Sequence, residues 1–485
     1  MPRIVLDGGG LSLEDVWAVS RGSAVEVGES GRRKAHSSRE SLVRLEASGE
    51  LIYGVSTGFG PLKSVVIDEA DRVSLQANLI RSHAAGLGEP LPCTVVRAAM
   101  LLAAASHLRG FSGVGPEAAT ALVERLNRDE IPVVPSRGSL GASGDLAPLA
   151  HVAEDLLRSG DLVLTSKMGL SLINGTHFHT AIAALSVVEA GLLCKAADLA
   201  CAMHVEAMLC SEAPFRPEVH ALRPHRHQAI SAANILACIK GSELVPSHAN
   251  CGEVQDAYSI RCAPQIHGAS RQAIAHLREV VAIELASVTD NPLVFDDSAV
   301  SAGNFHGEPV GMASDYAKIG VAELGSVSER RTERALNKDY SRGLPAFLVH
   351  DPGLHSGMMI CQYTAAALVS ENKVLCHPAT VDSIPTGANQ EDHVSMAMTA
   401  AIHLKSVIEN VRRILKIELL TAAQALDARR AVSSERPGKG VREAWELIRA
   451  FVSPVTEDRS LSREIEELEI EPIVAVASDA VGGLA

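Results

Sequence analysis

Aromatic residues are scarce. They make up 3% of the 485 residues, while hydrophobic residues as a class reach 47%. Ala, Leu and Val must therefore carry the packing, which favours closely packed helices over an aromatic-rich sandwich. Paired cysteine is also lacking: nine cysteines are scattered from Cys93 to Cys376 with no Cys-x-x-Cys spacing. Cys194, Cys201 and Cys210 lie in an apolar helical stretch and read as small buried hydrophobes. No disulfide framework is expected, and a reducing, cytoplasmic setting is. Basic charge falls short, with 44 Lys and Arg against 58 Asp and Glu and a net charge of −14. That balance argues against nucleic acid as the main partner, because phosphate binding needs a basic face. Met1 to Gly10 has no apolar signal segment, and no window reaches about 18 uncharged apolar residues, so no membrane partner is expected.

The length exceeds one ordinary core, so two sub-domains are expected, at 1–175 and 176–485. Residues 1–60 are mixed, with short extended pieces such as Ile4-Val5-Leu6. The pattern predicts helices over 68–84, 94–109 and 115–127, with Pro116 suited to a first turn. A further helix starts at Leu146. Residues 176–212 form a nearly unbroken Ala/Leu/Val run that ends at Pro214 and Pro217, and 311–338 and 393–430 are two more long helices. In the last, Leu404, Val407, Ile408, Val411 and Leu415 recur at helical spacing. The fold class read from this is mainly α: a long-helix bundle core with a smaller mixed α/β N-terminal domain. Polar loops at 251–265, 288–308, 340–354 and 377–392 sit where helix ends can gather chemistry.

The chain is organised around Gly138-Ser139-Leu140-Gly141-Ala142-Ser143-Gly144-Asp145-Leu146, between an extended segment, 131–134, and the helix from Leu146. Glycines flanking a small-residue core permit backbone angles that other residues avoid. Ala-Ser-Gly alone is ordinarily a turn. The same string also permits rarer chemistry: the Gly144 nitrogen attacks the Ala142 carbonyl carbon, and loss of water from the ring and from Ser143 leaves a methylidene electrophile. A hydrolase elbow is excluded, since Asp145 stands where the second glycine of that motif belongs.

Ala142-Ser143-Gly144-Asp145-Leu146-Ala147-Pro148-Leu149 resembles the signature of the aromatic amino acid ammonia-lyases. Tyr53 to Gly60, Asn174-Gly175-Thr176, Gln255 to Cys262, Asp290-Asn291-Pro292, Gly303-Asn304-Phe305-His306 and Asn389-Gln390-Glu391-Asp392-His393 match the family's motifs in the family's order. The resemblance runs from about residue 50 to residue 430. It implies a 4-methylidene-imidazol-5-one made from Ala142, Ser143 and Gly144, with no external cofactor and no metal. It also implies a mostly helical fold and a homotetramer whose active sites mix residues of several subunits.

Eliminating ammonia from an α-amino acid requires removal of a β-proton that is not acidic and departure of a poor leaving group. An electrophile that captures the amine and a placed base meet both needs. By the resemblance Ser143 becomes the electrophile, with Tyr53 the first choice for the base and Tyr258 the second. Arg261 resembles the family's clamp for the substrate carboxylate, to which its planar fork is suited. Asn174 and Gln255 offer amides to the cofactor oxygen or the substrate, and Phe305 lines the pocket.

Ser82-His83 resembles the histidine-type form of the residue pair that selects the substrate side chain, and Glu391 resembles the histidine-type pattern too. A carboxylate facing imidazole accepts its N–H or balances its charge. Facing a phenyl ring it is left unpaired, at roughly 1–3 kcal/mol or about ten- to a hundredfold in discrimination. The small-molecule substrate so implied is L-histidine, converted to trans-urocanate and ammonia. Phenylalanine, tyrosine, a modified histidine and an aminomutase outcome stand as alternatives. His177-Phe178-His179, Arg81 and a short segment between Ala150 and Asn174 depart from the histidine-type pattern. His220, His225 and His227, flanked by Arg223 and Arg226, read as a solvated or interface loop rather than a metal site.

Overall fold

The computed structural model describes residues 3–249 and 251–485. Nearly all of the regular structure is helical, as the low aromatic and high alanine content predicts. The predicted helices lie at Arg72–His83, Cys93–His107, Pro116–Arg128, Leu146–Ser159, His177–Ala207, Glu308–Leu336 and Ala397–Arg430. Leu404, Val407, Ile408, Val411 and Leu415 are all buried along one side of the last. Two of the shorter helices stop for a local reason. Pro116–Arg128 begins with proline in its first turn and ends on Asp129 at φ +57°. Leu146–Ser159 ends on Gly160 at φ +78°, a left-handed cap that glycine takes without strain.

The chain divides into two compact units. The first comprises residues 1–188, 277–315 and 378–405; the second comprises 189–276, 316–377 and 406–485. Most of these boundaries fall inside continuous helices. The strands are short pairs: Ile4–Leu6 parallel to Val25–Val27, Leu87–Pro90 antiparallel to Pro135–Arg137, and Leu293–Val294 antiparallel to Ala299–Val300. In the first unit these pairs and the helices around Cys93–His107, itself almost wholly buried, support the glycine loop.

The helix His177–Ala207 is long and apolar enough to cross a membrane, but 72% of its most apolar window is buried within the protein. Its alanines, among them Ala181, Ala184, Ala196, Ala197 and Ala200, let neighbouring backbones approach closely. Cys194 and Cys201 lie in it, and burial pushes both thiols up to about 12, so they pack as inert small hydrophobes.

His220 corrects the reading of its cluster. It is only 3% exposed and both ring nitrogens are engaged, Nε2 with the Pro214 carbonyl at 3.0 Å and Nδ1 with Gln228 at 2.9 Å. His225 is exposed as expected. Prolines 214 and 217 supply the turn that folds His220 inward, a tertiary effect invisible in the local run of charges.

Candidate active site

The glycine loop lies in the first unit and is shaped by backbone contacts. Gly144 adopts φ +71°, and a Cβ placed on it would stand 2.1 Å from the Gly175 carbonyl oxygen. Only glycine permits that approach. Gly144 and Gly175 form an isolated parallel bridge, and the Asp145 amide donates to the Gly175 carbonyl at 2.8 Å. The Asn174-Gly175-Thr176 motif is thereby seated against the serine loop. The Gly141 carbonyl is held from two directions, by the Gly307 amide at 2.9 Å and the Ser395 hydroxyl at 3.0 Å. These bonds bring the Phe305 and Glu391 segments to the same loop. Ser395 and Gly307 were not singled out from sequence; each sits two to four residues past a motif residue.

Asp145 anchors the loop's far end. Its buried carboxylate accepts from the amides of Phe178 at 2.8 Å and His179 at 2.9 Å and from the Ser139 hydroxyl at 2.7 Å, and it pairs with His179 Nδ1 at 2.9 Å. Burial alone raises a carboxyl's pKa, but the charge and hydrogen bonds of His179 outweigh it and hold Asp145 below the usual range. The departure from the histidine-type pattern at 179 thus has a physical role as the partner of Asp145.

Ser143 is half-buried, and its hydroxyl donates to Glu391 Oε1 at 3.1 Å. Glu391 is presented by a tight loop: Thr386 and Glu391 exchange backbone bonds, and the Thr386 hydroxyl donates to Glu391 Oε2. Gly387, Ala388 and Asn389 inside that loop have φ of +53°, +50° and +66°. A non-glycine residue in this region is strained, a feature that concentrates at functional loops. His83 ends the helix Arg72–His83. Its Nδ1 lies 2.9 Å from the Leu79 carbonyl, so its ring closes the helix end. Burial lowers its pKa, opposed by that carbonyl and by the charge of Glu391, which places the imidazole and the carboxylate in one electrostatic neighbourhood.

Tyr53 is half-buried, and its hydroxyl oxygen accepts from the Gly60 amide at 2.9 Å. Its loop is pinned by Gln76, a buried residue that sequence reasoning passed over. Gln76 Nε2 donates to the Gly54 carbonyl at 3.0 Å, and Gln76 Oε1 accepts from the Leu170 amide at 2.9 Å. Lys63, just beyond the tyrosine loop, donates to Gln390 Oε1, so this loop and the Glu391 loop meet. Asn174 is buried, and its Oδ1 makes no hydrogen bond among the described residues, an orphaned polar atom of the kind a bound ligand satisfies. Phe305 is half-buried beside Gly307.

Gln255, Tyr258 and Arg261 lie in the second unit. Arg261 Nε donates to the Asp256 carbonyl at 3.1 Å, and its guanidinium stacks 4.6 Å from the centre of the Tyr258 ring. Asp256 is fixed in turn by Arg342 and the Ser211 amide, both at 2.8 Å. Gln255 and Arg261 line a groove of about 1640 Å3 in this unit, and Tyr258 is 69% exposed.

One constellation was not read from the sequence. His306, Glu308 and His393 place their possible ligand atoms within 4.8 Å of one another. They belong to two motifs 87 residues apart, so no local spacing announces them.

The chain as a whole is similar to known proteins. A profile of the aromatic amino acid lyases matches residues 11–450. The histidine ammonia-lyase of Gloeobacter violaceus is 50% identical, covering 96% of this chain and 95% of that one. Among solved structures, the tyrosine aminomutase of Streptomyces globisporus superposes with a TM-score of 0.92 at 34% identity, over 99% of this chain and 98% of that one. The histidine ammonia-lyase of Trypanosoma cruzi does so with a TM-score of 0.88 at 37% identity, over 99% and 95%. A profile match across most of the length, joined to half-identity with a near full-length relative, settles the kinship: this chain belongs to the aromatic amino acid lyase family.

Proposed function

We propose that the protein is a histidine ammonia-lyase, eliminating ammonia from L-histidine to give trans-urocanate. The observation that carries the reading is the meeting of Ser143 with Glu391 at 3.1 Å, with His83 in the same electrostatic neighbourhood. A carboxylate beside the reactive serine is desolvated to no purpose by a phenyl ring and is matched by an imidazole. Backbone likeness does not separate the alternatives, since an aminomutase superposes as well as a histidine lyase. Identity favours histidine, at 50% against 34%.

The 4-methylidene-imidazol-5-one that Ala142, Ser143 and Gly144 would form supplies an electrophile for the substrate's amine. The tripeptide suits it: Gly144 has the bare Cα and positive φ that let its nitrogen turn back on Ala142, and Asn174 has an unpaired buried amide oxygen nearby in the same loop cluster. Tyr53 takes the β-proton; the Gly60 amide donates to its oxygen and holds the phenol in place. Arg261 holds the substrate carboxylate. Its Nε is committed to Asp256, which leaves the outer edge of the fork for a bidentate bond. Glu391 and His83 receive the imidazole, Phe305 packs on it, and Gln255 adds an amide. A homotetramer completes each site. Tyr258 and Val254, 69% and 92% exposed on a motif segment, have the exposure of residues that finish a neighbour's pocket.

Intact mass tests the electrophile: the mature chain is expected two waters lighter than its sequence, and Ser143→Ala is expected to restore the full mass and remove nearly all activity. Incubation with histidine, phenylalanine and tyrosine, followed by the absorbance of the arylacrylate, tests the substrate. Cinnamate or coumarate without urocanate sinks the histidine assignment, and a β-amino acid product makes the protein an aminomutase. Tyr53→Phe is expected to lower kcat far more than Tyr258→Phe; the reverse order transfers the base to Tyr258.

A further inference from the structure

We propose that His306, Glu308 and His393 form a site for one divalent metal ion of the zinc class, and that the ion clamps the segment carrying Phe305 to the segment carrying Glu391. The binding claim stands on geometry alone; only its effect on the substrate rests on the function proposed above.

Two imidazoles and one carboxylate are the donor set that zinc-class ions take, with a fourth position left for water. The three ligand atoms lie within 4.8 Å of one another, and tetrahedral zinc needs about 3.3 Å, so modest side-chain rotations close the site. Glu308 supplies a second, independent sign. It opens the helix Glu308–Leu336, where a carboxylate ordinarily accepts a first-turn N–H, yet its Oε2 is buried and makes no hydrogen bond among the described residues. A buried carboxylate oxygen with no donor is a group awaiting a cation.

The histidines are arranged to match. His306 Nε2 lies 3.2 Å from the His393 carbonyl, and the tautomer that donates there keeps a lone pair on the other nitrogen. A ligating imidazole whose second nitrogen donates to a backbone carbonyl is the usual outer support of a metal site. The two rings stand 5.9 Å apart, centre to centre. His306 and Glu308 are half-buried and His393 is exposed, which gives an ion a way in. The positive end of the helix opposes a cation, but that field is weak beside three direct ligands.

The consequence follows from chain position. His393 lies two residues from Glu391, and His306 is the neighbour of Phe305. An ion held by both segments fixes the side chains that would grip the substrate's ring.

The test is a Co2+ and Zn2+ titration of the full-length protein after chelation, read by elemental analysis and by the visible bands of four-coordinate Co2+. About one ion per chain is expected. Glu308→Gln and His393→Ala are each expected to weaken binding at least about 100-fold, since even outer partners of a ligand are worth 10- to 100-fold. His225→Ala with His227→Ala, which removes the other local histidine pair, is expected to bind as the parent does. Absence of stoichiometric Co2+ binding in the parent protein overturns the site, as does undiminished binding in His306→Ala with His393→Ala. Should a variant fold poorly, the parent decides: Zn2+ is expected to raise its thermal midpoint, and no rise counts against the site. Chelation is expected to raise KM for histidine several-fold with little change in kcat. An unchanged KM removes the clamp while leaving the site, and binding without any histidine activity leaves the site standing and the function reading fallen.

Discussion

The two units bury charge in different ways. In the first, Asp145 is held by backbone and side chains equally, through the amides of Phe178 and His179 and through His179 Nδ1 and the Ser139 hydroxyl. In the second, Arg331 is held mainly by side chains. It forms a bidentate pair with Glu418 and meets His267 Nε2 at 3.2 Å, with the Ser259 carbonyl accepting from it on the backbone side. His267 passes the chain on to Asp198 at 2.7 Å, and Asp198 pairs with Arg271 at 2.6 Å. The first arrangement shapes a loop one residue from Gly144. The second ties helices together. Side-chain pairs can be exchanged for apolar residues of similar volume, whereas backbone donors cannot be removed and are orphaned when their acceptor goes.

That difference yields the largest expected effect. Glu418→Ala leaves the fully buried Arg331 uncompensated and should lower stability by about 3–5 kcal/mol in urea unfolding. Adding Arg331→Met to Glu418→Leu should recover most of the loss. Asp145→Leu with His179→Leu should not recover, because the amides of Phe178 and His179 remain buried without an acceptor. Recovery in both units would erase the distinction between them.

Protons give the next comparison. Burial holds His177 of the first unit down to about 3, with the nearby charge of His107 adding to it, and pushes Glu206 of the second unit up to about 8. Unfolded, His177 takes a proton near pH 6.5 that the folded chain refuses. Its contribution is therefore full above that value and is lost as pH falls toward 3. His204, held to about 4 by burial, acts in the same direction. Glu206 runs the other way. Folded, it keeps a proton that the unfolded chain releases near 4.5, so its contribution is present at low pH and is lost as pH rises through 8. Between pH 5 and pH 7 this removes about 2–3 kcal/mol. Glu206→Gln, which keeps an acceptor for the Gly438 amide, should flatten that slope and leave the acid limb unchanged in urea unfolding at each pH.

Helices were legible in both units and motifs mostly in the first, for physical reasons. Long apolar runs such as 176–212 and 393–430 appear as His177–Ala207 and Ala397–Arg430 because one buried face imposes its period on the sequence. The helix Glu29–Ala47 was hidden in a region read as mixed, since Arg32, Arg33, Lys34 and Glu40 cover most of it and its buried face is small residues such as Gly31, Ala35 and Ser38. Ser143, Glu391 and Asn174 were legible because their motifs travel with them. Gln76, Ser395 and Asp145 were not given roles, because each acts through backbone groups distant in sequence. His306, Glu308 and His393 escaped because the two segments that bring their side chains together are distant in sequence.

A smaller effect separates activity from stability. Glu391→Gln keeps the loop's backbone bonds and stands half-exposed, so unfolding should barely change. It removes the charge that faces Ser143 and His83, and kcat/KM for histidine should fall about ten- to a hundredfold, which is 1–3 kcal/mol of transition-state binding. Steady-state kinetics beside urea unfolding checks both halves. An equal loss in stability would make Glu391 a structural residue like Glu418.

The smallest expected effect concerns the strain that presents Glu391. Ala388 sits at φ +50° between Gly387 and Asn389, both also positive. A left-handed alanine costs about 1–2 kcal/mol, and glycine avoids that cost but loses more freedom on folding. Ala388→Gly should therefore stabilise the protein by about 0.5–1 kcal/mol in urea unfolding. It also loosens the turn between Thr386 and Glu391, so KM for histidine should rise two- to threefold while kcat holds. If stability rises and KM does not move, the strain is incidental to the loop; if both move as stated, the loop exchanges stability for the placement of one carboxylate, a role that the helix-to-helix pairs of the second unit do not share.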